Sequence, residues 1–145
     1  MTKLLTTPPL EGVLETSLYV SDLEVSLQFY RDVFGFSPLY NDPARMAAMN
    51  VSGRQVLLLF LRGASLQSIE VPGAGTIPGH DGSGELHLAF AISNEELTRW
   101  RAWLNQQDIP IEAEIRWERG GHSLYFRDPD GHLLELVTPG VWAIR

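Results

Sequence analysis

The sequence predicts a mixed α+β fold, in a single domain over residues 11–140 that is built from two similar modules. The chain has 145 residues, of which 44% are apolar, and this length suits one compact domain. Stretches with the two-residue period of a strand alternate with stretches that have the period of an amphipathic helix. The order of one strand, one helix and three strands occurs twice, over residues of about 13–61 and 86–138.

The first module begins with an alternating stretch over residues 13–20, which predicts a strand. One face of this strand carries Glu15, Ser17 and Tyr19, and the other face carries aliphatic residues and a threonine. The remaining elements expected in this module are a helix from about Leu23 to Phe34 that stops at Gly35, two short strands between Leu39 and Asn50, and a buried strand over Val56 to Leu61.

The second module follows a connection over residues 63–84 that is rich in glycine and proline and predicts no regular core. The elements expected after it are a strand from Leu86 to Ile92, a helix through Trp100, Trp103 and Leu104, and strands over Ile109 to Trp117, Ser123 to Arg127 and Leu133 to Thr138. The last two strands are joined by a turn at Asp128-Pro129-Asp130-Gly131.

The two modules repeat each other with a fixed offset. Ser21 and Glu24 have the spacing of a capping box, and Ser93 and Glu96 have the same spacing 72 residues later. The same offset places Glu15 on His87, at equivalent positions of the first strands. Neither module has enough sequence to close a core alone, so the two must pack together.

Composition excludes several classes of protein and of site. The net charge of −7 argues against a nucleic acid partner, because an acidic surface repels phosphate. No apolar run has the roughly 20 residues that a membrane span needs, and the N-terminus lacks a secretory signal core, so we expect a soluble, cytoplasmic protein. Because the chain has no cysteine, any metal must be held by His, Asp or Glu.

Three of these groups form a candidate metal site. Glu135 lies between leucines on the last strand, where a carboxylate needs a partner because an unpaired buried charge is costly. A divalent cation shared with Glu15 and His87 would supply that partner. From the pattern alone, two alternatives stay open: a strand glutamate that faces solvent, and a histidine that is only hydrogen-bonded.

Several stretches resemble the vicinal oxygen chelate superfamily, which includes glyoxalase I, extradiol dioxygenases, fosfomycin-resistance transferases, methylmalonyl-CoA epimerase and bleomycin-binding proteins. The resemblance covers nearly the whole chain after the first ten residues, and its most specific element is the pattern Phe-x-Asp-Pro-x-Gly-x-x-x-Glu, which ends at Glu135. The other matching stretches are Glu15 to Glu24, Phe29 to Gly35 and His87 to Phe90.

The resemblance implies paired βαβββ modules that form an incomplete barrel around a metal cleft. It implies that Glu15, His87 and Glu135 bind one divalent ion, for which Fe, Mn, Ni and Zn stay open. Among the ligands, Glu135 is our choice for the catalytic base. We also expect a homodimer, because two four-stranded half-barrels leave sheet edges and cleft rims that one chain covers poorly.

The sequence departs from individual branches of the superfamily. Glyoxalase I has a fourth ligand on the last strand of its first module, where this chain has only Val56 to Phe60. Extradiol dioxygenases usually place a histidine where this chain has Glu15, and two carboxylates with one imidazole make a harder donor set. The ligand pattern of fosfomycin-resistance relatives is matched in part, and the sequence shows no clear basic pocket for a phosphonate.

Three further residues are candidates for binding substrate. Ser123 and Tyr125 share the face of Glu135, so the Tyr125 hydroxyl can meet a substrate, although a barrel aromatic with no such role is the alternative. His80 lies in the glycine-rich connection, which either folds over the cleft or leaves this histidine exposed in a loop. His122 and His132 lie beside turns and are expected at the surface.

The three ligands favour a metal-dependent enzyme of the glyoxalase or dioxygenase type that acts on a small substrate with vicinal oxygens. A lyase, an isomerase and a ring-cleaving dioxygenase all fit this description. The alternative is a non-catalytic drug-binding protein of the bleomycin-resistance kind, which would not need metal ligands.

Overall fold

The computed structural model describes residues 2–144, which contain two four-stranded sheets, a two-stranded hairpin and two α-helices. The first module comprises β1 (Glu15–Val20), α1 (Leu23–Phe34), β2 (Ser37–Asp42), β3 (Met46–Val51) and β4 (Gln55–Leu61). The hairpin comprises β5 (Ile69–Val71) and β6 (Gly75–Ile77). The second module comprises β7 (His87–Ala91), a single 3₁₀ turn (Asn94–Glu96), α2 (Leu97–Gln106), β8 (Ala113–Arg116), β9 (His122–Arg127) and β10 (Leu133–Val137).

The two modules have the same topology, so the predicted α+β fold of paired βαβββ units is confirmed. The strand order is β1-β4-β3-β2 in the first sheet and β7-β10-β9-β8 in the second. In each sheet the first and last strands of the module pair in parallel, and the other pairs are antiparallel. Neither sheet closes on itself within residues 2–144.

One face of each sheet packs into a common core. The two helices meet in the middle of this core, where Phe34 of α1 lies 5.8 Å from Trp100 of α2 between ring centroids, and the Trp103 indole donates to the carbonyl of Val33 at 2.8 Å. Fully buried side chains from both sheets pack around them, among them Met49, Leu57, Leu59, Leu124, Phe126 and Leu134. The opposite face of each sheet, here called its open face, carries the residues of the other strand parity.

The turn after β9 fastens the second module to the first. The Asp128 carboxylate is buried and accepts a hydrogen bond from the hydroxyl of Tyr30 on α1 at 2.8 Å. The Asp130 carboxylate accepts one from the amide of Ser21, just before α1, at 2.9 Å. Because a helix N-terminus leaves free N–H groups and carries partial positive charge, it favours such a carboxylate.

His132 completes this junction and is fully buried, although we expected it at the surface. Its Nδ1 accepts from the amide of Leu86 at 2.9 Å, so Nε2 must carry the proton that it donates to the carbonyl of Tyr19 at 2.8 Å. One neutral ring therefore joins the first strand of the first module to the residue before β7. His122 is partly exposed, close to the expectation.

The predicted capping boxes are not formed. The N-cap of α1 is Asp22, whose side chain accepts from the amide of Val25. The Ser21 amide, which Glu24 would bind in a capping box, donates instead to Asp130 of the second module. The helix itself spans Leu23–Phe34 and ends at Gly35 in the left-handed conformation, as predicted. In the second module, Ser93 precedes a 3₁₀ turn and makes no side-chain cap.

Two other boundaries differ from the expectation. The connection over residues 63–84 contains the β5–β6 hairpin, which a sequence rich in glycine and proline conceals. The strand expected over Ile109 to Trp117 is shorter, since β8 starts only at Ala113, after Pro110, which has no amide hydrogen to donate. None of the helices within the described residues is long and apolar enough to cross a membrane.

Replacing Tyr30 with Phe should lower the free energy of unfolding at pH 7 by about 1–3 kcal/mol, because the buried Asp128 carboxylate loses a donor. Burial, and then the charge of Asp128, raise the pKa of Tyr30 well above its usual value. Above pH of about 10 the unfolded chain releases this proton and the folded chain keeps it, so stability falls as pH rises. Urea unfolding from pH 7 to 11 should show a shallower fall for Tyr30→Phe only above pH of about 10, by up to roughly 1.4 kcal/mol per pH unit.

The matched control for Tyr30→Phe is Tyr40→Phe, since Tyr40 is exposed on β2. This control should keep both the stability and its slope with pH. An equal response of the two variants would show that the Tyr30 hydroxyl does not couple α1 to the turn.

Replacing His132 with Ala should cost about 2–5 kcal/mol, because it opens a cavity and leaves the Leu86 amide and the Tyr19 carbonyl without their partner. His122→Ala is the control and should cost less than 1 kcal/mol. Chemical denaturation of both variants checks this. A small loss in His132→Ala would mean that the ring does not hold the modules together.

Candidate metal centre

His87 and Glu135 lie side by side on the open face of the second sheet. They belong to the neighbouring parallel strands β7 and β10, where His87 pairs with Leu133 and Glu135 pairs with Ala89. The His87 Nε2 atom lies 3.2 Å from the Glu135 Oε1 atom. Glu135 is only 7% exposed, whereas about half of the His87 side chain is accessible, so the pair can be approached from the His87 side.

The His87 ring is held in one orientation by its other nitrogen. Nδ1 lies 2.8 Å from the carbonyl of Leu133, and since a carbonyl only accepts, Nδ1 must carry a proton. In the neutral ring, Nε2 then points a lone pair at the Glu135 carboxylate. Two electron donors at this distance repel each other unless a proton or a cation lies with them, and a histidine anchored through Nδ1 is the usual arrangement of a metal ligand.

The second oxygen of Glu135 is fixed from behind. The Ser123 hydroxyl donates to Oε2 at 2.5 Å, and the Trp117 indole donates to the same hydroxyl at 2.8 Å. Because the indole only donates, the three groups form a chain with one direction, from Trp117 through Ser123 to Glu135. Ser123 is fully buried, so it orients the carboxylate and does not face a substrate as we expected. Trp117 was not predicted, because its place at the end of β8 depends on how that strand pairs.

Tyr125 lies next to the pair on the same open face. Its ring centroid is 6.3 Å from that of His87, with the rings at 29° to each other. Burial, and then the charge of Glu135, raise the pKa of the Tyr125 hydroxyl. The hydroxyl therefore stays protonated beside the candidate ligands.

Glu15 does not join the pair within one chain. It is the first residue of β1, on the open face of the first sheet, and it is exposed. Among residues 2–144 of a single chain, no group of three or more His, Cys, Asp or Glu side chains lies close enough to hold a metal ion. The structure thus assembles two of the three predicted ligands. The repeat correctly gives Glu15 and His87 equivalent strand positions, but it does not fix how the two sheets face each other.

His80, in the connection between the two modules, packs against the open face of the first sheet. Its Nδ1 is 2.7 Å from the Tyr19 hydroxyl, and its ring meets that of Phe60 edge-on with centroids 4.5 Å apart. Tyr19 is four residues beyond Glu15 on the same open face, a separation of about 13 Å along a strand. His80 therefore occupies the other end of the face that carries Glu15.

The fold and this site define a class of proteins. Residues 12–136 match the model of the Glyoxalase/Bleomycin resistance protein/Dioxygenase superfamily, and the chain belongs to that family. The predicted membership in the vicinal oxygen chelate superfamily is confirmed by this match.

Two curated relatives and two solved structures are informative. The metallothiol transferase FosB of Staphylococcus epidermidis is 34% identical over 121 residues, which are 82% of this chain and 75% of that protein. FosB of Lysinibacillus sphaericus is 34% identical over 120 residues, 82% of this chain and 76% of that one.

Among solved structures, lactoylglutathione lyase from Agrobacterium tumefaciens superposes with a TM-score of 0.84 at 33% identity, covering 94% of this chain and 100% of that one. The fosfomycin resistance protein FosX from Listeria monocytogenes has a TM-score of 0.65 at 23% identity, covering 92% and 97%, and shows the fold alone. Both curated relatives are named as metallothiol transferases. Our expectation of a lyase, an isomerase or a dioxygenase did not include this branch of the superfamily.

The tautomers of two histidines test this geometry directly. In the metal-free protein, long-range ¹⁵N–¹H NMR spectra should show His87 protonated at Nδ1, because the Leu133 carbonyl requires it. His132 should show the opposite tautomer, protonated at Nε2. A His87 ring that carries its only proton on Nε2 would contradict the arrangement described here.

Proposed function

We propose that this protein is a metal-dependent enzyme that acts on a small molecule with adjacent oxygens, in a reaction that involves a thiol or a thiol adduct. The observation that carries this proposal is the His87 Nε2 atom aimed at the Glu135 carboxylate, with Nδ1 and Oε2 both anchored. The names of the relatives support it, since they describe a metallothiol transferase and a lyase of lactoylglutathione, and both names refer to sulfur compounds.

We propose further that Glu15 reaches the metal site from a second copy of the chain. The open face of the first sheet, which carries Glu15, is not covered by the second sheet of its own chain, because the modules pack through their helices. A symmetric homodimer would place each first sheet against the second sheet of the other copy. Each of the two resulting sites would then have two carboxylates and one imidazole.

The residues of this site have separate tasks in the proposal. Glu15, His87 and Glu135 would hold a divalent ion, with Fe, Mn, Ni and Zn as candidates; such an ion polarises two adjacent substrate oxygens and makes nearby protons more acidic. If Glu135 loosens from the ion, its Oε1 atom would be free to take the proton that the substrate loses, while Ser123 holds Oε2 in place. The Tyr125 hydroxyl donates a hydrogen bond to a substrate oxygen, and His87, held by the Leu133 carbonyl, keeps its orientation throughout.

Mixed dimers of two inactive variants give the sharpest test of this proposal. Glu15→Ala and Glu135→Gln should each abolish tight binding of Mn(II), Ni(II) or Zn(II), because each removes a ligand from both sites of its dimer. When the two variants are unfolded together and refolded, mixed dimers would hold one intact site, so about a quarter of the wild-type metal content should return. Metal analysis after gel filtration measures this return.

The control is Glu70→Ala, which removes an exposed carboxylate from β5 and should keep the full metal content. If the metal content does not return in the mixture, although each variant is folded and dimeric, a metal site shared between two copies is excluded. Full metal content in Glu135→Gln would overturn the metal site itself. In that case a drug-binding protein without a metal becomes the better interpretation.

A further inference from the structure

The backbone of Trp117 is fixed by the turn that joins β8 to β9. Its amide donates to the carbonyl of Gly121 at 2.8 Å, and its carbonyl accepts from the amide of Gly120 at 2.9 Å. The C-terminal segment over residues 138–141 covers this turn, since a Cβ atom added to Gly121 would come within 2.7 Å of a methyl group of Val141. Trp117 therefore starts from a defined backbone position, although it lies just beyond the end of β8.

The indole of Trp117 directs one donor at a buried hydroxyl. Ile115 pairs with Ser123 across the two strands, and Trp117 follows two residues later, so its side chain lies on the same open face as Ser123. The indole nitrogen lies 2.8 Å from Ser123 Oγ. Trp117 is 36% exposed, whereas Ser123 is fully buried, so the ring also covers the hydroxyl to which it donates.

This donor decides where the proton of the Ser123 hydroxyl points. A serine hydroxyl has one proton and can rotate, so by itself it has no fixed direction. Because the indole N–H of Trp117 faces the oxygen, the proton must point away from the indole, and Glu135 Oε2 lies 2.5 Å from this oxygen. A hydroxyl that accepts a hydrogen bond is also polarised into a stronger donor.

The orientation of Glu135 depends on that donor. The two oxygens of a carboxylate are chemically equivalent, so a carboxylate that is not held can turn and exchange them. With Oε2 of Glu135 bound to Ser123, Oε1 is the atom that lies 3.2 Å from His87 Nε2. His87 is anchored separately, by the carbonyl of Leu133. The two candidate ligands therefore have independent supports, and Trp117 belongs to only one of them.

We propose that Trp117 is a positioning residue of the metal centre. Its indole N–H fixes the direction of the Ser123 hydroxyl, and this hydroxyl fixes the orientation in which Glu135 presents Oε1 to a divalent ion. The inference rests on the metal centre proposed above. Groups that hold a metal ligand from behind typically change metal affinity 10–100-fold when they are removed. Because Trp117 acts only through a hydroxyl, its effect must disappear when that hydroxyl is absent.

A double-mutant cycle on metal affinity tests this dependence. Zn(II) is titrated into the metal-free protein in competition with a chelating indicator. Ser123→Ala should weaken Zn(II) binding about 10–100-fold, and Trp117→Phe about 10-fold, since the hydroxyl remains but is free to turn. In the Ser123→Ala background, Trp117→Phe should have no further effect on the affinity, whereas a merely structural role would give additive losses.

Trp103 offers a matched control for Trp117. It is also 36% exposed, and its indole also donates a hydrogen bond of 2.8 Å, but to the carbonyl of Val33 between the helices. Trp103→Phe should therefore lower the melting temperature and leave the Zn(II) affinity unchanged. Comparison of the two variants separates the loss of an indole hydrogen bond in general from the loss of the one that leads to Glu135.

A second measurement needs no metal. In ¹⁵N–¹H spectra recorded with a chelator present, the indole proton of Trp117 should move upfield in Ser123→Ala, because it loses its acceptor. It should also move in Glu135→Gln, at the far end of the chain of hydrogen bonds, while the indole proton of Trp103 stays in place. In Trp117→Phe, His87 should keep its proton on Nδ1, since its anchor is separate.

The outcomes distinguish the positioning role from the metal centre on which it rests. Absence of Zn(II) binding in the wild type would overturn the metal centre and the positioning role together. Equal Zn(II) affinity of Trp117→Phe and the wild type, or an undiminished effect of this variant in the Ser123→Ala background, would overturn the positioning role alone. If Trp117→Phe does not fold, an indole proton of Trp117 that does not move in Ser123→Ala would still refute it.

Discussion

The packing of the two modules depends on the turn from Asp128 to His132. Its two carboxylates and its imidazole make hydrogen bonds to Tyr30, Ser21 and Tyr19 of the first module, and all three side chains are almost fully buried. Buried polar bonds of this kind cost energy when they are incomplete, so they select one relative placement of the modules over others that would bury a similar apolar area. The same turn sets the start of α1, since Asp130 takes the amide of Ser21.

This placement explains why the functional groups of one chain are divided. The turn and the contacts between Phe34 and Trp100 hold the helices against each other in the centre, and the open faces of both sheets are left outside. His87 and Glu135 lie on one open face and Glu15 on the other. Under the proposed function, the site uses all three candidate ligands, and a second copy of the chain supplies the one that the single chain does not bring close.

The two open faces also have different chemical characters. The second sheet presents a carboxylate and an imidazole that are held rigidly from behind by Ser123 and by the Leu133 carbonyl. The first sheet presents Tyr19 and His80, which share a hydrogen bond, and Arg45, all three around the ring of Phe60.

The local sequence pattern predicted most of the elements, the repeat and the candidate ligands, but it missed the β5–β6 hairpin and began β8 too early. Alternation predicted that Glu15 and His87 hold equivalent positions on the first strands, and the position of Gly35 predicted the end of α1, because strand parity and helix termination are local properties. Tertiary structure alone decided which ligands meet, that Ser123 serves Glu135, and that His132 is a buried link between modules. Those outcomes depend on contacts between residues that are far apart in the chain. The packing of Asp128, Tyr30 and the two helices sets how the two sheets are oriented, and no local sequence pattern encodes that packing.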